Sequence, residues 1–387
     1  MQYTGRMQRE LAHIGSALLL AAAVGCGSSG GGNGQGFTQT DLVSNQTGKA
    51  PVTDANLTNA WGLARTGAGP WWVADNHSGV STIYDGNGTP FPVGSPLVVT
   101  VPPPAASPPG AQSSPTGLVV NTTTDFVVTQ GAASGPALFI FATEDGTISG
   151  WNQTVNVGEA VLVVDDSDEG AIYKGLALGS DAGSNRLYTT DFHGGSVDAY
   201  DGSFVEIESS TAFIDPGIPA GFAPFGVQNV NGQIYVTYAK QDDDKEDDVP
   251  GAGNGYVDIF QPNGTFVRRF ASKGQLNSPW GIVQAPESFG KFGGAILIGN
   301  FGDGHINAFD ATSGAFLGQL NRPGGGAVAI PGLWGLAFGN DAGAGSSDAL
   351  YFTAGPNDEV NGLFGKLTAT GTMSADSRRG HIATVGG

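Results

Sequence analysis

The sequence has a single cysteine and few charged residues. Cys26 is the only cysteine, so an internal disulfide and any metal site built from several thiolates are excluded. Only 13% of residues are charged, and the acidic ones dominate, giving a net charge of −19. A surface this negative repels phosphate backbones and anionic lipid, which argues against nucleic-acid binding and charge-driven membrane docking. Cations and basic partners are favoured instead.

Helical periodicity and common enzyme motifs are also missing. Beyond the first 26 residues no long stretch has apolar residues at helical spacing. No G-x-S-x-G, H-E-x-x-H or Walker A sequence occurs. The chain instead has 64 Gly and 22 Pro spread among a 40% hydrophobic content. This mixture predicts many short β-strands joined by tight turns.

The N-terminal segment resembles a bacterial lipoprotein signal. Arg6 and Arg9 precede a short apolar run that ends in small residues just before Cys26. We therefore expect a signal peptide over 1–25, an acylated Cys26 and a flexible Gly/Ser tether over 26–36. The alternative is an ordinary signal peptide in which Cys26 is incidental. The expected location is the cell envelope, with Cys26 as the only membrane attachment.

A glycine followed by a branched or apolar residue recurs six times, at intervals of 51 to 58 residues. Such a period is the signature of a repeat architecture, whereas length alone would allow two domains. The repeated glycines are Gly62, Gly117, Gly175, Gly226, Gly281 and Gly335.

Each repeat has the pattern of four short antiparallel strands, which predicts an all-β, six-bladed β-propeller over 37–369, followed by a polar tail over 370–387. A linear solenoid is the main alternative, but parallel β-helix coils are shorter than this period. The sixth repeat lacks a clear fourth strand. We expect the segment 37–43 to fill that place and close the ring, which removes exposed sheet edges.

The repeats resemble NHL-type propeller blades, best seen in SPWGIVQAP…GGAILIGNFGDGHINAFDATSGAFLGQL at 278–320. With NAWGLA at 59–64 and WWVADNHSGVSTIYDGNG at 71–88, the chain resembles an uncharacterised family of bacterial exported six-bladed propellers. The resemblance implies the fold and leaves the activity open.

Polar side chains recur in the loops after the second strand of blades one, three and five. These loops share the face around the central channel with the connections between blades, which makes that face the expected binding site. Their oxygen and imidazole donors form a candidate site for Ca²⁺ or another divalent metal. The alternative is that they stabilise turns. The candidate ligands are Asp75, His77, Asp191, His193, Asn300 and Asp303.

Two further features lie on the same face. The insertion 242–248 is an acidic loop, with Asp242, Asp244, Glu246 and Asp248 as candidate cation or basic-partner contacts; the other interpretation is a solvated loop. Aromatic residues precede four of the repeated glycines and either stack a flat ligand or pack between blades. They are Trp61, Phe225, Trp280 and Trp334.

Three functions remain open from the sequence. The first is a monomeric binding module that presents its acidic face to a protein, peptide or glycan. The second is a Ca²⁺- or other metal-dependent hydrolase or lactonase with its site at the channel mouth, by analogy of fold only. The third is a purely structural envelope protein.

Overall fold

The structure is a computed structural model that describes residues 36–370. The predicted signal peptide, Cys26, nearly all of the tether and nearly all of the C-terminal tail lie outside the described residues. The described chain contains 26 β-strands and three short 3-10 helices, at Asn76–Ser78, Ser167–Glu169 and Gly290–Phe292. No described helix is long and apolar enough to cross a membrane.

The strands form six small antiparallel sheets arranged as the blades of a propeller, which confirms the predicted fold. The chain enters through β1 (Gly36–Ser44) and β2 (Val52–Thr53). Blade 1 then contains β3 (Ala60–Arg65), β4 (Trp71–Asp75), β5 (Val80–Tyr84) and β6 (Val98–Thr100). Blade 2 contains β7 (Pro115–Val120), an added hairpin of β8 (Val127–Gln130) and β9 (Ala133–Pro136), and then β10 (Phe139–Thr143), β11 (Thr147–Trp151) and β12 (Val161–Asp165).

The second half of the ring continues the pattern. Blade 3 contains β13 (Tyr173–Asp181), β14 (Ser184–Asp191) and β15 (Ser196–Asp201). Blade 4 contains β16 (Phe222–Val230), β17 (Gln233–Lys240), β18 (Tyr256–Phe260) and β19 (Phe266–Ser272). Blade 5 contains β20 (Pro279–Gln284), β21 (Ile296–Asn300), β22 (Ile306–Phe309) and β23 (Phe316–Gln319). Blade 6 contains β24 (Leu333–Phe338), β25 (Ala349–Ala354) and β26 (Leu363–Thr370).

The N-terminal strand closes the ring, as predicted. β1 runs antiparallel beside β26, with register from Gly36 opposite Thr370 to Ser44 opposite Leu363. Phe37 is buried against Phe289, with ring centroids 4.9 Å apart. The two ends of the described chain are therefore paired in one blade, and this sheet edge is covered.

Blade 3 departs from the predicted four strands, because only three are regular. The chain after β15 makes one bridge, between Tyr200 and Glu206, and then leaves the sheet. The edge strand β15 contains Asp198, and burial, followed by repulsion from Asp191 and Glu206, raises the pKa of this carboxyl to about 7. Carboxylates facing one another across strands disfavour continued pairing.

The recurring glycines mark the closest approach of neighbouring inner strands. A Cβ added at Gly226 would lie 2.3 Å from the Trp280 carbonyl oxygen, and one at Gly281 would lie 2.5 Å from that of Trp334. Both distances are too short for any side chain, so the inner strands meet here only because no Cβ is present. At the other repeated glycines a Cβ would meet the next blade at 2.4 to 3.1 Å: Gly62, Gly117, Gly175 and Gly335.

We predict that Gly281→Ala destabilises the protein by about 1–3 kcal/mol, because the backbones of blades 5 and 6 must separate to admit the methyl group. The midpoint of urea unfolding measures this loss. Gly67→Ala is the control, since its added Cβ would meet nothing within 4 Å, and it should change stability by less than about 0.5 kcal/mol. Equal midpoints for the two variants would contradict the role given to the ring of glycines.

Candidate functional site

The residue before each repeated glycine lies near the start of an inner strand, at the loop-bearing end of the central channel. We call this end the loop face. The six residues come from different blades but occupy equivalent positions, so they meet around the channel axis. They are Trp61, Thr116, Lys174, Phe225, Trp280 and Trp334.

Aromatic side chains fill the channel at this level. Trp61 and Trp334 stack with ring centroids 3.5 Å apart, and Trp280 packs edge-on against both at 6.0 and 5.7 Å. Phe225 lies 5.8 Å from Trp334. The structure thus brings the four predicted channel-mouth aromatics together. Trp61, Phe225 and Trp334 are at most 2% exposed, so they present no free face for stacking a sugar.

Lys174 occupies the blade 3 position of this ring and is 2% exposed. Its Nζ lies 2.5 Å from Glu144 Oε1 and 3.3 Å from Asp247 Oδ1. It also lies 5.4 Å from the centroid of the Trp61 ring. Burial alone would lower the pKa of Lys174, but attraction to the two carboxylates outweighs it, so the pKa is raised.

A hydrogen-bonded web connects this ion pair to blades 1 and 6. Asn76 donates to Glu144 Oε2 at 2.8 Å. Asn59 donates to Glu359 Oε1 at 3.1 Å and to Asn76 Oδ1 at 3.2 Å, while its Oδ1 accepts from Trp334 Nε1 at 3.2 Å. The channel mouth therefore combines one buried ammonium with carboxylates from blades 2, 4 and 6.

The carboxylates differ in their protonation. Burial would raise the pKa of Glu144, but its ion pair and hydrogen bond with Lys174 lower it. Burial, followed by repulsion from Glu144, raises the pKa of Glu359 to about 7. Burial also raises the pKa of Asp248 to about 6. Of these three carboxylates, Glu359 is the one whose charge changes nearest neutral pH.

The predicted metal ligands at the strand ends are hydrogen-bonded to partners in their own blade or in the connection that leads into it. Asp75 Oδ2 accepts from Thr82 at 2.7 Å, and burial raises the pKa of Asp75 well above its usual range. Asp191 accepts from the Ile172 backbone N–H at 3.0 Å. Asn300 donates to the Gln275 carbonyl oxygen at 2.7 Å and to Asp303 at 3.1 Å.

The two predicted histidine ligands lie in separate places. His77 Nε2 is 3.4 Å from Asn59 Nδ2, beside the web, whereas His193 is half-buried in the loop of blade 3. Asp303 faces His305 instead, at 3.4 Å. Within residues 36–370, no three His, Cys, Asp or Glu side chains are grouped closely enough to hold a metal ion. The six predicted ligands do not form one site, and metal binding stays a prediction.

The predicted acidic loop lies beside the buried lysine. Its ends pair through a bridge between Gln241 and Asp248, and Asp242 accepts from the Glu246 backbone N–H at 3.0 Å. Asp244 and Glu246 are exposed. Asp247, which was not among the predicted contacts, is the member that reaches Lys174.

Sequence reasoning did not select Lys174 or Asn59; Glu144 and Glu359 lie in the polar loops of the expected binding face but were not chosen as ligands. Lys174 could have been recognised from the sequence, because it occupies the position at which four of the other repeats have an aromatic side chain. Glu144 follows the second strand of blade 2, at the position that Asn76 holds in blade 1. Equivalence between blades could therefore have placed Glu144 and Asn76 together.

The fold and the channel mouth together define a six-bladed β-propeller. In it, a cluster of ionisable side chains lies above the aromatic side chains that fill the channel. The chain is 35% identical over 337 residues to uncharacterized protein R648 of Acanthamoeba polyphaga mimivirus, covering 84% of this chain and 78% of the relative. It is 31% identical over 334 residues to uncharacterized protein L690 of the same virus, covering 84% of each. This chain belongs to the same family as these two proteins.

Other comparisons support the fold only. No family model matches the chain. A solved Bacteroides thetaiotaomicron protein of unknown function has a TM-score of 0.53 at 10% identity, covering 87% of this chain and 76% of its own. The two sequence relatives are viral, so they do not confirm the bacterial exported family that the repeats resemble.

We predict that Glu359→Gln stabilises the protein increasingly as pH rises. Between pH 4.5 and about 7 the folded wild type retains a proton on Glu359 that the unfolded chain releases, so its stability falls across this window. Glutamine stays neutral, so the variant's advantage should appear above pH 4.5 and reach on the order of 2 kcal/mol at pH 8.

Urea unfolding at pH 4.5, 6 and 8 measures this difference. Glu287→Gln, which changes an exposed carboxylate at the other end of the channel, serves as the control and should show a difference that does not vary with pH. A Glu359→Gln profile parallel to the wild type would contradict the assignment.

Proposed function

We propose that this protein is a binding module whose loop face receives a cationic group, a lysine or arginine side chain, from a basic protein or peptide. The observation that carries the proposal is the charge balance at the channel mouth. The mouth has one ammonium group, that of Lys174, and three carboxyl groups near it, those of Glu144, Asp247 and Glu359. The mouth therefore favours an additional positive charge.

Glu359 is the carboxylate best placed to take up that charge. Within the described part of the chain it accepts a hydrogen bond from Asn59 and forms no ion pair. Repulsion from Glu144 keeps its pKa raised, after the larger effect of burial. An arriving ammonium or guanidinium would offset this repulsion, so binding would be coupled to loss of the proton on Glu359.

The acidic loop extends the negative surface outward from the mouth. Asp243, Asp244 and Glu246 are exposed, and Asp247 has 75% of its side chain accessible. Exposed acids on a loop raise the association rate of a basic partner more than its final affinity. A glycan is less favoured, because three of the four mouth aromatics that would stack a sugar are buried: Trp61, Phe225 and Trp334.

Titration with a pentalysine peptide at low salt, followed by calorimetry, tests the proposal. The double variant Asp247→Asn/Glu359→Gln should weaken binding about tenfold or more, since two of the carboxylates facing the cation are neutralised. At pH 8, where Glu359 is mostly ionised, the control Glu287→Gln/Asp348→Asn makes about the same net charge change at exposed positions on the other end of the channel and should preserve the affinity. If both double variants bind alike, the attraction is general and the proposal fails.

A titration with CaCl₂ tests the alternative of a Ca²⁺- or other metal-dependent hydrolase or lactonase. If the loop face binds a basic partner and no metal, neither CaCl₂ nor a chelator should shift the melting temperature of the purified protein. A Ca²⁺-dependent rise in melting temperature that is lost in Asp191→Asn would favour the metal site over the basic partner.

We also propose that residues 1–26 export the protein and attach it to the cell envelope through an acylated Cys26, as the sequence pattern indicates. Labelling of expressing bacteria with a palmitate analogue should tag the wild type and leave Cys26→Ser untagged. Equal labelling of the two proteins, or none, would end this part of the proposal.

A further inference from the structure

A cavity opens at the end of the channel opposite the loop face. It is a funnel of about 850 Å³, within the size range of small-molecule sites. Its wall is formed by the far ends of the inner strands and the hairpins that follow them. The lining includes Leu63, Leu118, Leu178, Val283, Ala337 and Phe338.

The funnel ends blindly inside the channel. It adjoins a chamber of about 100 Å³, lined by four of the repeated glycines, the apolar residues that follow them, and Trp280. Beyond Trp280 lies the aromatic filling, in which Trp61 and Trp334 are stacked and buried. A ligand would therefore enter from the hairpin end and place its innermost part among aliphatic side chains.

The funnel carries little charge, unlike the loop face. Among its lining residues only Arg65 and Glu287 are ionisable. Arg65 is held against the wall, because its Nε donates to the Phe338 carbonyl oxygen at 2.8 Å and its Nη2 to that of Gly339 at 2.9 Å. A charged ligand would find no dedicated partner deep in the funnel.

One polar side chain lines both spaces. Gln228 is half-buried, contributes to the funnel and to the chamber, and its carboxamide has no hydrogen-bond partner among residues 36–370. The neighbouring amides are already engaged: Asn229 donates to the Leu178 carbonyl oxygen at 2.8 Å, and Gln284 accepts from Asn231 at 2.6 Å. Among the amide side chains of the funnel, Gln228 offers a free donor and acceptor at the point where the chamber begins.

We infer that this funnel is a binding site for an uncharged amphiphilic small molecule. Its aliphatic part occupies the chamber, and its hydroxyl or carbonyl group pairs with Gln228. The inference does not depend on the cationic partner proposed for the loop face, because the aromatic filling separates the two sites.

A series of straight-chain alcohols from 1-butanol to 1-hexanol, titrated into the full-length protein and followed by calorimetry, tests the inference. Affinity should rise about fourfold for each added methylene group. Hexanoate should bind at least tenfold more weakly than 1-hexanol, and glucose should not bind. Tighter binding of hexanoate, or binding of glucose alone, would overturn the assigned ligand class.

Two variants locate the binding. Ala337→Trp fills the junction of funnel and chamber and should abolish 1-hexanol binding. Gln228→Leu keeps the volume but removes the hydrogen bond, and should weaken binding about fivefold. Gln46→Leu, which changes an exposed glutamine outside the funnel, is the control and should leave the affinity unchanged.

Thermal melts establish that each variant is folded. If Ala337→Trp does not fold, the affinity of Gln228→Leu for 1-hexanol alone tests the inference. Wild-type affinity in Gln228→Leu, or absence of alcohol binding to the wild type, would overturn the inference.

Discussion

The close approach of neighbouring inner strands at the six repeated glycines is the constraint on which the rest of this molecule depends. Where a Cβ would lie 2.3 Å from the next blade's carbonyl oxygen, as at Gly226, backbone replaces side chain as the packing surface. Threonine hydroxyls then bridge the blades: Thr190 donates to the Phe225 carbonyl oxygen at 2.8 Å, and Thr353 donates to that of Trp61. The last of these contacts joins blade 6 to blade 1, so it helps to close the ring beside the pairing of β1 with β26.

This packing forces the residue before each glycine toward the channel axis. Most of these positions are filled by aromatic side chains, which exclude water and seal the channel. Thr116 and Lys174 are the two exceptions. A buried ammonium such as that of Lys174 is costly unless it is paired and hydrogen-bonded, and Glu144 and Asp247 supply its ion pairs. Burial, followed by repulsion from Glu144, leaves Glu359 with a raised pKa.

The fold was predictable because its signals are local and repeated. The glycine interval gave the number of blades, and the incomplete sixth repeat indicated closure by the N-terminal strand. The site was less predictable, because Glu144 and Asp247 are 30 and 73 residues away from Lys174 along the chain. Asp75, Asp191 and Asn300 do end equivalent strands, and each side chain hydrogen-bonds within its own blade or to the connection that leads into it. The irregular edge of blade 3 lies beside two carboxylates, Asp198 and Glu206. Their proximity cannot be read from the repeat period.

The aromatic filling gives the two ends of the channel separate chemistry. Toward the loops, burial and unbalanced carboxylates make the electrostatic environment depend on pH and on any arriving cation. Toward the hairpins, Arg65 is engaged with carbonyl oxygens and the wall is otherwise almost neutral, so hydrophobic contact and hydrogen bonding decide what fits. Trp280 borders both regions, since it lines the inner chamber while its Nε1 donates to the Lys174 carbonyl oxygen at 2.9 Å.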